Sequence, residues 1–207
     1  MKKLLLFILI SVIIFPEVNA QPERAGGGLA FSSGYHFKNV NYDLNKSGNP
    51  ALTFKHVHKI TMPLEFSPSF VFFYPHVRDI IYEKTSIWTM LFDFDVHYIF
   101  NSLEKFEFYG VAGPNLLVTW KRDRYAGAVP TPAPGGQTSG VEVVTHKEKD
   151  GALGLNLGAG SYMKLTDQFD FYLEAKYIVS KYGQFMLNAG ILINIDWLKK
   201  HEDTGIN

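Results

Sequence analysis

Between Ser86 and Phe100 the chain alternates without a break between two kinds of side chain. One parity carries Trp88, Met90, Phe92, Phe94, Val96, Tyr98 and Phe100; the other carries Thr89, Leu91, Asp93, Asp95, His97 and Ile99. A period of two is the signature of a β-strand, with one residue set on each face. Residues 169–179 repeat the pattern, with Phe169, Phe171, Leu173, Ala175, Tyr177 and Val179 opposed to Asp170, Tyr172, Glu174, Lys176 and Ile178. Residues 185–197 repeat it again, from Phe185 to Trp197 on one face and Met186 to Asp196 on the other. Soluble strands run to about 5–6 residues, whereas a strand that crosses a bilayer needs about 9–11. These stretches reach the longer length, and the ends of their apolar faces carry aromatic residues. The pattern therefore places hydrocarbon outside and polarity inside. A soluble barrel would need the opposite arrangement, with Phe92, Phe94 and Val96 inward and the two aspartates in water.

Composition narrows the alternatives. Of 207 residues 46% are apolar and 15% aromatic, and only 19% are charged, which excludes a disordered chain. Lys plus Arg equals Asp plus Glu at 20 each, so charge offers no handle for nucleic acid. Cysteine is absent, which removes disulfides, thiolate metal sites and a cysteine nucleophile. Lys2 and Lys3, the apolar run Leu4 to Phe15 and the small residues of Val18-Asn19-Ala20 read as a secretory signal peptide over residues 1–20. The remainder, 21–207, reads as one domain and holds no second apolar run long enough for a spanning helix.

Eight strand candidates follow from the alternation: 27–38, 55–66, one starting at Phe70 and cut short by Pro75, 86–100, 106–121, 152–164, 169–181 and 184–197. Ser67-Pro68-Ser69, Asn101–Lys105 and Thr166-Asp167-Gln168 read as short turns. Residues 39–53, 78–85 and 122–150 read as loops at the opposite end, the last with a low-complexity Pro/Gly/Thr/Ser centre. Short turns at one end and long loops at the other suit an all-β, eight-stranded, antiparallel up-and-down barrel of the outer membrane. At eight strands the lumen is just wide enough to be filled by side chains, so a plugged interior is expected.

The segments Tyr109-Gly110-Val111-Ala112-Gly113-Pro114-Asn115-Leu116 and Gly154-Leu155-Asn156-Leu157-Gly158-Ala159-Gly160-Ser161-Tyr162 resemble the glycine-rich strands of small outer-membrane β-barrels. The second is followed by a turn and Phe171-Tyr172-Leu173-Glu174-Ala175-Lys176-Tyr177. Residues 26–197 as a whole resemble the eight-stranded OmpA/OmpX-type domain, nearest the "outer membrane β-barrel protein" families of Bacteroidetes-like bacteria. The resemblance implies a monomer with both termini periplasmic, inserted by the barrel assembly machinery and surrounded by outer-membrane lipid and lipopolysaccharide. In such families the last strand commonly ends the chain on an aromatic residue; here a tail, 198–207, follows Trp197. Ten residues cannot make the peptidoglycan-binding domain that some relatives carry.

The inward parity supplies the candidate residues. Lys59, Glu65, Asp93, Asp95, His97, Glu107, Asp170, Glu174 and Lys176 are expected to form a polar network in the lumen, with Lys164 as a further cationic partner. Opposite charges in a narrow dry interior must pair. Asp93, Asp95 and His97 lie at the i, i+2, i+4 spacing of a metal set, but alternate strand residues are about 6–7 Å apart, too far for all three to meet one ion. His56, His58 and His76 are rim residues with the option of a surface metal clip. Trp88, Tyr98, Trp120, Tyr177 and Trp197 are expected to form the aromatic girdle. Lys121, Arg122 and Arg124 stand at the external mouth, where basic residues can meet lipopolysaccharide phosphates. Gly26-Gly27-Gly28 lacks the Lys-Ser/Thr ending of a phosphate loop. Ser32, Ser33, His36 and Ser180 do not assemble into a nucleophile, base and orienting acid.

No cofactor or catalytic set is expected. The reading is a non-enzymatic barrel with a structural or surface-interaction role, with loop 122–150 available for extracellular contact. A narrow porin for small solutes and a lipid A-modifying enzyme are the alternatives.

Overall fold

The computed structural model describes residues 23–33, 48–81, 83–131 and 138–195. The signal-peptide reading, His36, Trp197 and the tail that follows it lie outside the described residues. Among the described residues there are nine strands: β1 (Arg24–Ser32), β2 (Asn49–Thr61), β3 (Leu64–Phe73), β4 (His76–Ile80), β5 (Glu83–Ser102), β6 (Phe106–Thr131), β7 (Thr138–Lys164), β8 (Phe169–Ser180) and β9 (Gln184–Asn194). Eight close into an antiparallel ring in the order β3-β2-β1-β9-β8-β7-β6-β5, with β5 pairing back to β3. First and last strands seal the ring from Arg24 opposite Asn194 to Ser32 opposite Met186. β4 stands off the ring as a short hairpin arm against the start of β5. Closure leaves no strand edge in hydrocarbon, where an unpaired backbone group costs several kcal/mol.

Wall parity follows the sequence. On β5, Asp93 and Asp95 are 1% and 0% exposed, while Phe94 is 38% and Tyr98 54% exposed on the outer face. Leu29, Phe54, Leu155, Leu173 and Ile191 likewise stand outward. Phe54, Phe70 and Phe92 pack as neighbours across β2, β3 and β5, with ring centroids 6.5 and 5.1 Å apart.

Four boundaries differ from the sequence reading. Ser67-Pro68-Ser69 is not a turn: it lies inside β3, and the chain reverses at Met62-Pro63 instead. Proline has no N–H to give the ladder, and the β2–β3 pairing passes from Lys55–Ser69 to His58–Phe66, skipping the residues between. Of the segment 122–150, the described residues 122–131 and 138–150 are strand, not loop. The β6–β7 ladder continues pair by pair from Thr119–Asp150 to Thr131–Thr138, so both strands rise well above the barrel. Residues 78–80 and 83–85 likewise pair with each other in β4 and β5, where a loop was expected, and β2 begins at Asn49, inside the expected loop 39–53.

The interior is layered. Ala30, Ala51, Val71, Phe73, Leu91, Leu117, Ala152, Ile178, Tyr182 and Met186 fill the half nearest the long connections. Val57, Ile99, Tyr109, Val111, Tyr162, Tyr172 and Leu192 fill the half nearest the short turns. Inward-facing glycines make room for the large side chains among them. Gly28 and Gly190 are cross-strand partners, and a Cβ on either would stand 2.6–2.7 Å from the Tyr172 ring system lying across them. Gly160 leaves the same space for the Tyr109 ring.

The outward assignment is testable at Phe94. Phe94→Arg should destabilise the barrel by about 2–4 kcal/mol in phospholipid vesicles, as cations do on a lipid face near mid-depth. Urea titration of the refolded variant measures it, and an unchanged midpoint would place Phe94 in water.

Candidate functional site: a filled lumen and a basic outer collar

The charged residues of the inward parity converge between the two apolar layers. Lys176 on β8 sends its ammonium to Asp93 (2.7 Å), Asp95 (2.9 Å) and Glu174 (3.6 Å), all fully buried. Lys55 on β2 reaches Glu174 from across the lumen. Three carboxylates thus face two ammonium groups, and amides occupy the remaining acceptor positions. Asn156 donates to Asp93 (2.8 Å) and Asp95 (2.7 Å), Asn115 donates to Asn156 (2.6 Å), and Asn188 donates to Glu174 (3.3 Å). Lys176 fits because its cross-strand partner is Gly158, where a Cβ would meet the lysine stem.

One layer nearer the short turns, His97 stacks on Tyr109 at 4.3 Å and shares a 2.7 Å hydrogen bond with Tyr162. Asp93 and Asp95 turn to Lys176 while His97 turns to the tyrosines, so the i, i+2, i+4 trio does not meet at one point. At the mouth itself Arg24 holds Glu107 (2.9 Å), Asp170 (3.2 Å) and Glu65 (3.5 Å), with its guanidinium 4.6 Å from the Tyr162 ring centre. Lys59 stands 4.0 Å from Glu65.

The structure therefore brings Asp93, Asp95, Glu174 and Lys176 into one cluster, and Glu65, Glu107, Asp170 and Lys59 into another. Lys164 belongs to neither: it is exposed and pairs with Asp167 in the adjoining turn (2.7 Å). Arg24 and Lys55 were absent from the sequence set. Arg24 precedes the position at which the alternation becomes visible, behind three glycines. Lys55 shares the parity of Lys59 and was readable on that ground. Tyr109 and Tyr172 carry a signal as well, since each has a glycine, Gly160 and Gly190, as its partner on a neighbouring strand.

The outer wall has its own chemistry near the long connections. Trp88 and Trp120 are direct cross-strand partners there, Tyr177 stands at the same end of β8, and Tyr98 lies toward the opposite end of β5. Beyond the tryptophans, Lys84 is paired in register with Arg124, and Arg122 with Lys147. With Lys149 and Ser86 they line a groove of ≈ 640 Å³. Lys84 meets Asp79 (2.9 Å); among the described residues no acid pairs with Arg122, Arg124, Lys147 or Lys149. Lys121, of opposite parity, pairs with Asp123 (2.7 Å), and it and Glu148 also border the groove.

At the same end the short β8–β9 turn is clasped down. Asp150 accepts hydrogen bonds from Lys181 (2.7 and 2.9 Å) and from the Tyr182 hydroxyl. The Lys181 ammonium, then Tyr182, hold the Asp150 carboxyl below the usual carboxylate range. His76 bonds Asn49 at this end, while His56 and His58 lie toward the other, so the three histidines do not form one clip. Ser32 is buried against Gln184 and Ser33 bonds the Phe185 carbonyl.

No protein-family model matches the sequence, and no curated protein does. Solved structures do. Ail, the attachment invasion locus protein of Yersinia pestis, is 16% identical with a TM-score of 0.52, over 84% of this chain and 99% of that one. Ail in complex with the heparin analogue sucrose octasulfate gives 15% and 0.50 over the same shares. The N-terminal β-barrel domain of Pseudomonas aeruginosa OprF gives 13% and 0.48, over 84% and 99%. At such identities the likeness to Ail carries the fold, that of a small outer-membrane β-barrel. With charges inside, apolar residues outside and tryptophans at the rim, the chain is a barrel of the bacterial outer membrane.

Two outcomes follow for the polar groups. Lys176→Met strands two buried aspartates and should cost about 3–5 kcal/mol, while Asp93→Asn/Asp95→Asn/Lys176→Met should recover part of that loss; urea midpoints of the refolded proteins decide. The Asp150 clasp contributes its full stability above the ordinary carboxylate pKa and loses it as pH falls through the depressed value. The protection factor of the Tyr182 amide, with the intrinsic pH dependence of exchange divided out, should therefore fall on acidification in the wild type and be low across the same pH range in Asp150→Asn.

Proposed function

We propose that this chain is a non-enzymatic outer-membrane protein of surface contact, gripping the phosphate-bearing outer leaflet through its basic collar and holding the β6–β7 arm above it. The collar is the observation that carries this. Like charges directly opposite each other across a sheet are destabilising, and here Lys84–Arg124 and Arg122–Lys147 stand side by side. Bridging anions turn that repulsion into attraction, and guanidinium groups take phosphate bidentately. At about 3.3 Å per residue, Arg122 and Arg124 sit just above Trp120, at the height where lipopolysaccharide phosphates meet the hydrocarbon. Ail has been solved with a polyanionic sugar analogue, which accords with a collar of this kind.

The remaining parts of the reading are cleavage after Ala20, insertion by the barrel assembly machinery and a monomeric state. A porin finds less support, because apolar and charged layers fill the lumen.

The test uses the refolded full-length barrel and purified lipopolysaccharide. Wild type should bind with an affinity that falls as salt rises. Arg122→Gln/Arg124→Gln/Lys147→Gln/Lys149→Gln should bind at least about tenfold more weakly, one decade per 1.4 kcal/mol. Equal binding by both proteins would sink the collar, and stepwise conductance in planar bilayers would favour the porin.

A further inference from the structure

We propose that Glu23, His56 and His58 form a three-donor site for one divalent transition-metal ion of the zinc class, on the outer wall of the barrel near its short-turn end. The β1–β2 register sets Arg24 against Val57 and Ala25 against His56. Continued by one residue, it sets Glu23 against His58. His56 and His58, two apart on β2, share a face, so all three side chains meet on the same side of the sheet. One donor atom from each lies within 4.8 Å of the others. Glu23 Oε1 is already 3.0 Å from His58 Nδ1. Modest side-chain rotation closes these separations to bonds of about 2.0–2.2 Å, the range for imidazole nitrogen and carboxylate oxygen on zinc. Two imidazoles and one carboxylate make a borderline donor set that suits zinc or copper above magnesium or calcium. His58 and Glu23 are 39% and 31% exposed, so an ion has access.

A second observation singles out the place. The outward face of β2 otherwise reads Pro50, Leu52, Phe54, Ile60 and Met62 across the strand and its turn. Two imidazoles interrupt that apolar series, and His56 makes no hydrogen bond among the described residues. His56 borders Phe54 and Phe70 on the wall, where an unpartnered polar ring is unfavourable. A shared ion gives both rings a partner at once.

The wall there is also weakly tied. β2 loses its regular pairing with β3 beside Pro68, and its other neighbour, β1, opens with Ala25-Gly26-Gly27-Gly28, costly in backbone entropy to order. An ion held by Glu23 from β1 and by two histidines from β2 cross-links the strands at that point. Metal that binds only the folded barrel then stabilises it by mass action.

The experiment titrates Zn²⁺ into the refolded full-length protein in detergent, with heat-modifiable gel migration as the check on folding. One ion should bind per chain and raise the unfolding temperature. His56→Ala and His58→Ala should each weaken binding at least about tenfold, by the scale on which metal sites lose affinity when their shell is damaged. His146→Ala, in an exposed pair with Glu148 on the arm, should bind as wild type does. On unmutated protein, Cu²⁺ electron paramagnetic resonance should show coupling to two imidazole nitrogens, independently of how any variant folds. Wild type and His56→Ala/His58→Ala binding Zn²⁺ alike, or a spectrum with a single imidazole, would overturn the site.

Discussion

Hydrocarbon offers a peptide group nothing to bond with, and that single deficit shapes the whole chain. Every N–H and C=O that crosses the bilayer must find its partner in a neighbouring strand, so the sheet has to end where it began. Here the ring is sealed at two places that are distant in sequence or separated by an inserted hairpin: β1 against β9, and β3 against β5 around β4. Once sealed, the ring has an inside of fixed width and an outside of fixed chemistry, and both sets of side chains follow. The outside must be apolar down to its aromatic rims. The inside must be filled, by groups small enough to fit and polar enough to satisfy one another.

The lumen meets both demands by pairing size with its absence. Tyr172 lies over Gly28 and Gly190, Tyr109 over Gly160, and the Lys176 stem beside Gly158. Charge is handled in the same local way, with Lys176 between Asp93 and Asp95 and Arg24 between Glu107, Asp170 and Glu65. The amides of Asn156 and Asn188 donate to the same carboxylates, and Asn115 donates in turn to Asn156. The interior is thus packed with its own side chains, while the outer surface has a chemistry of its own. There the chain departs from plain barrel logic in two places, a row of like charges set opposite one another above the tryptophans and a pair of imidazoles on a lipid-facing strand.

Much of the wall is legible in the sequence. The parity of β5, β8 and β9 assigns Asp93, Asp95, Glu174 and Lys176 to the lumen, and Phe94, Leu173 and Ile191 to lipid, because a strand offers only two faces. Turn composition was less dependable. Ser67-Pro68-Ser69 has every local preference for a turn, yet it lies within β3, because its neighbours Leu64 and Phe66 continue the outward apolar series and the ring needs that length. The segment 122–150 looked like a loop for the converse reason: its proline- and glycine-rich centre masks flanks that pair residue for residue. Lys164 was assigned to the lumen although it ends its strand, where the turn carboxylate of Asp167 is nearer than any interior acid.

What the amino-acid order settles by itself is the two-faced character of each strand, since alternation of side chains is a property of one extended chain and needs no partner. It thereby settles that oil lies outside and charge within. It does not settle which charges touch. Lys55 and Glu174 are far apart in sequence, and Arg24 meets acids from β3, β6 and β8, contacts that exist only because closure and strand stagger bring those heights together across the lumen. The cation row of the collar and the Glu23–His58 approach depend on cross-strand register in the same way, and register belongs to pairs of strands rather than to any one of them.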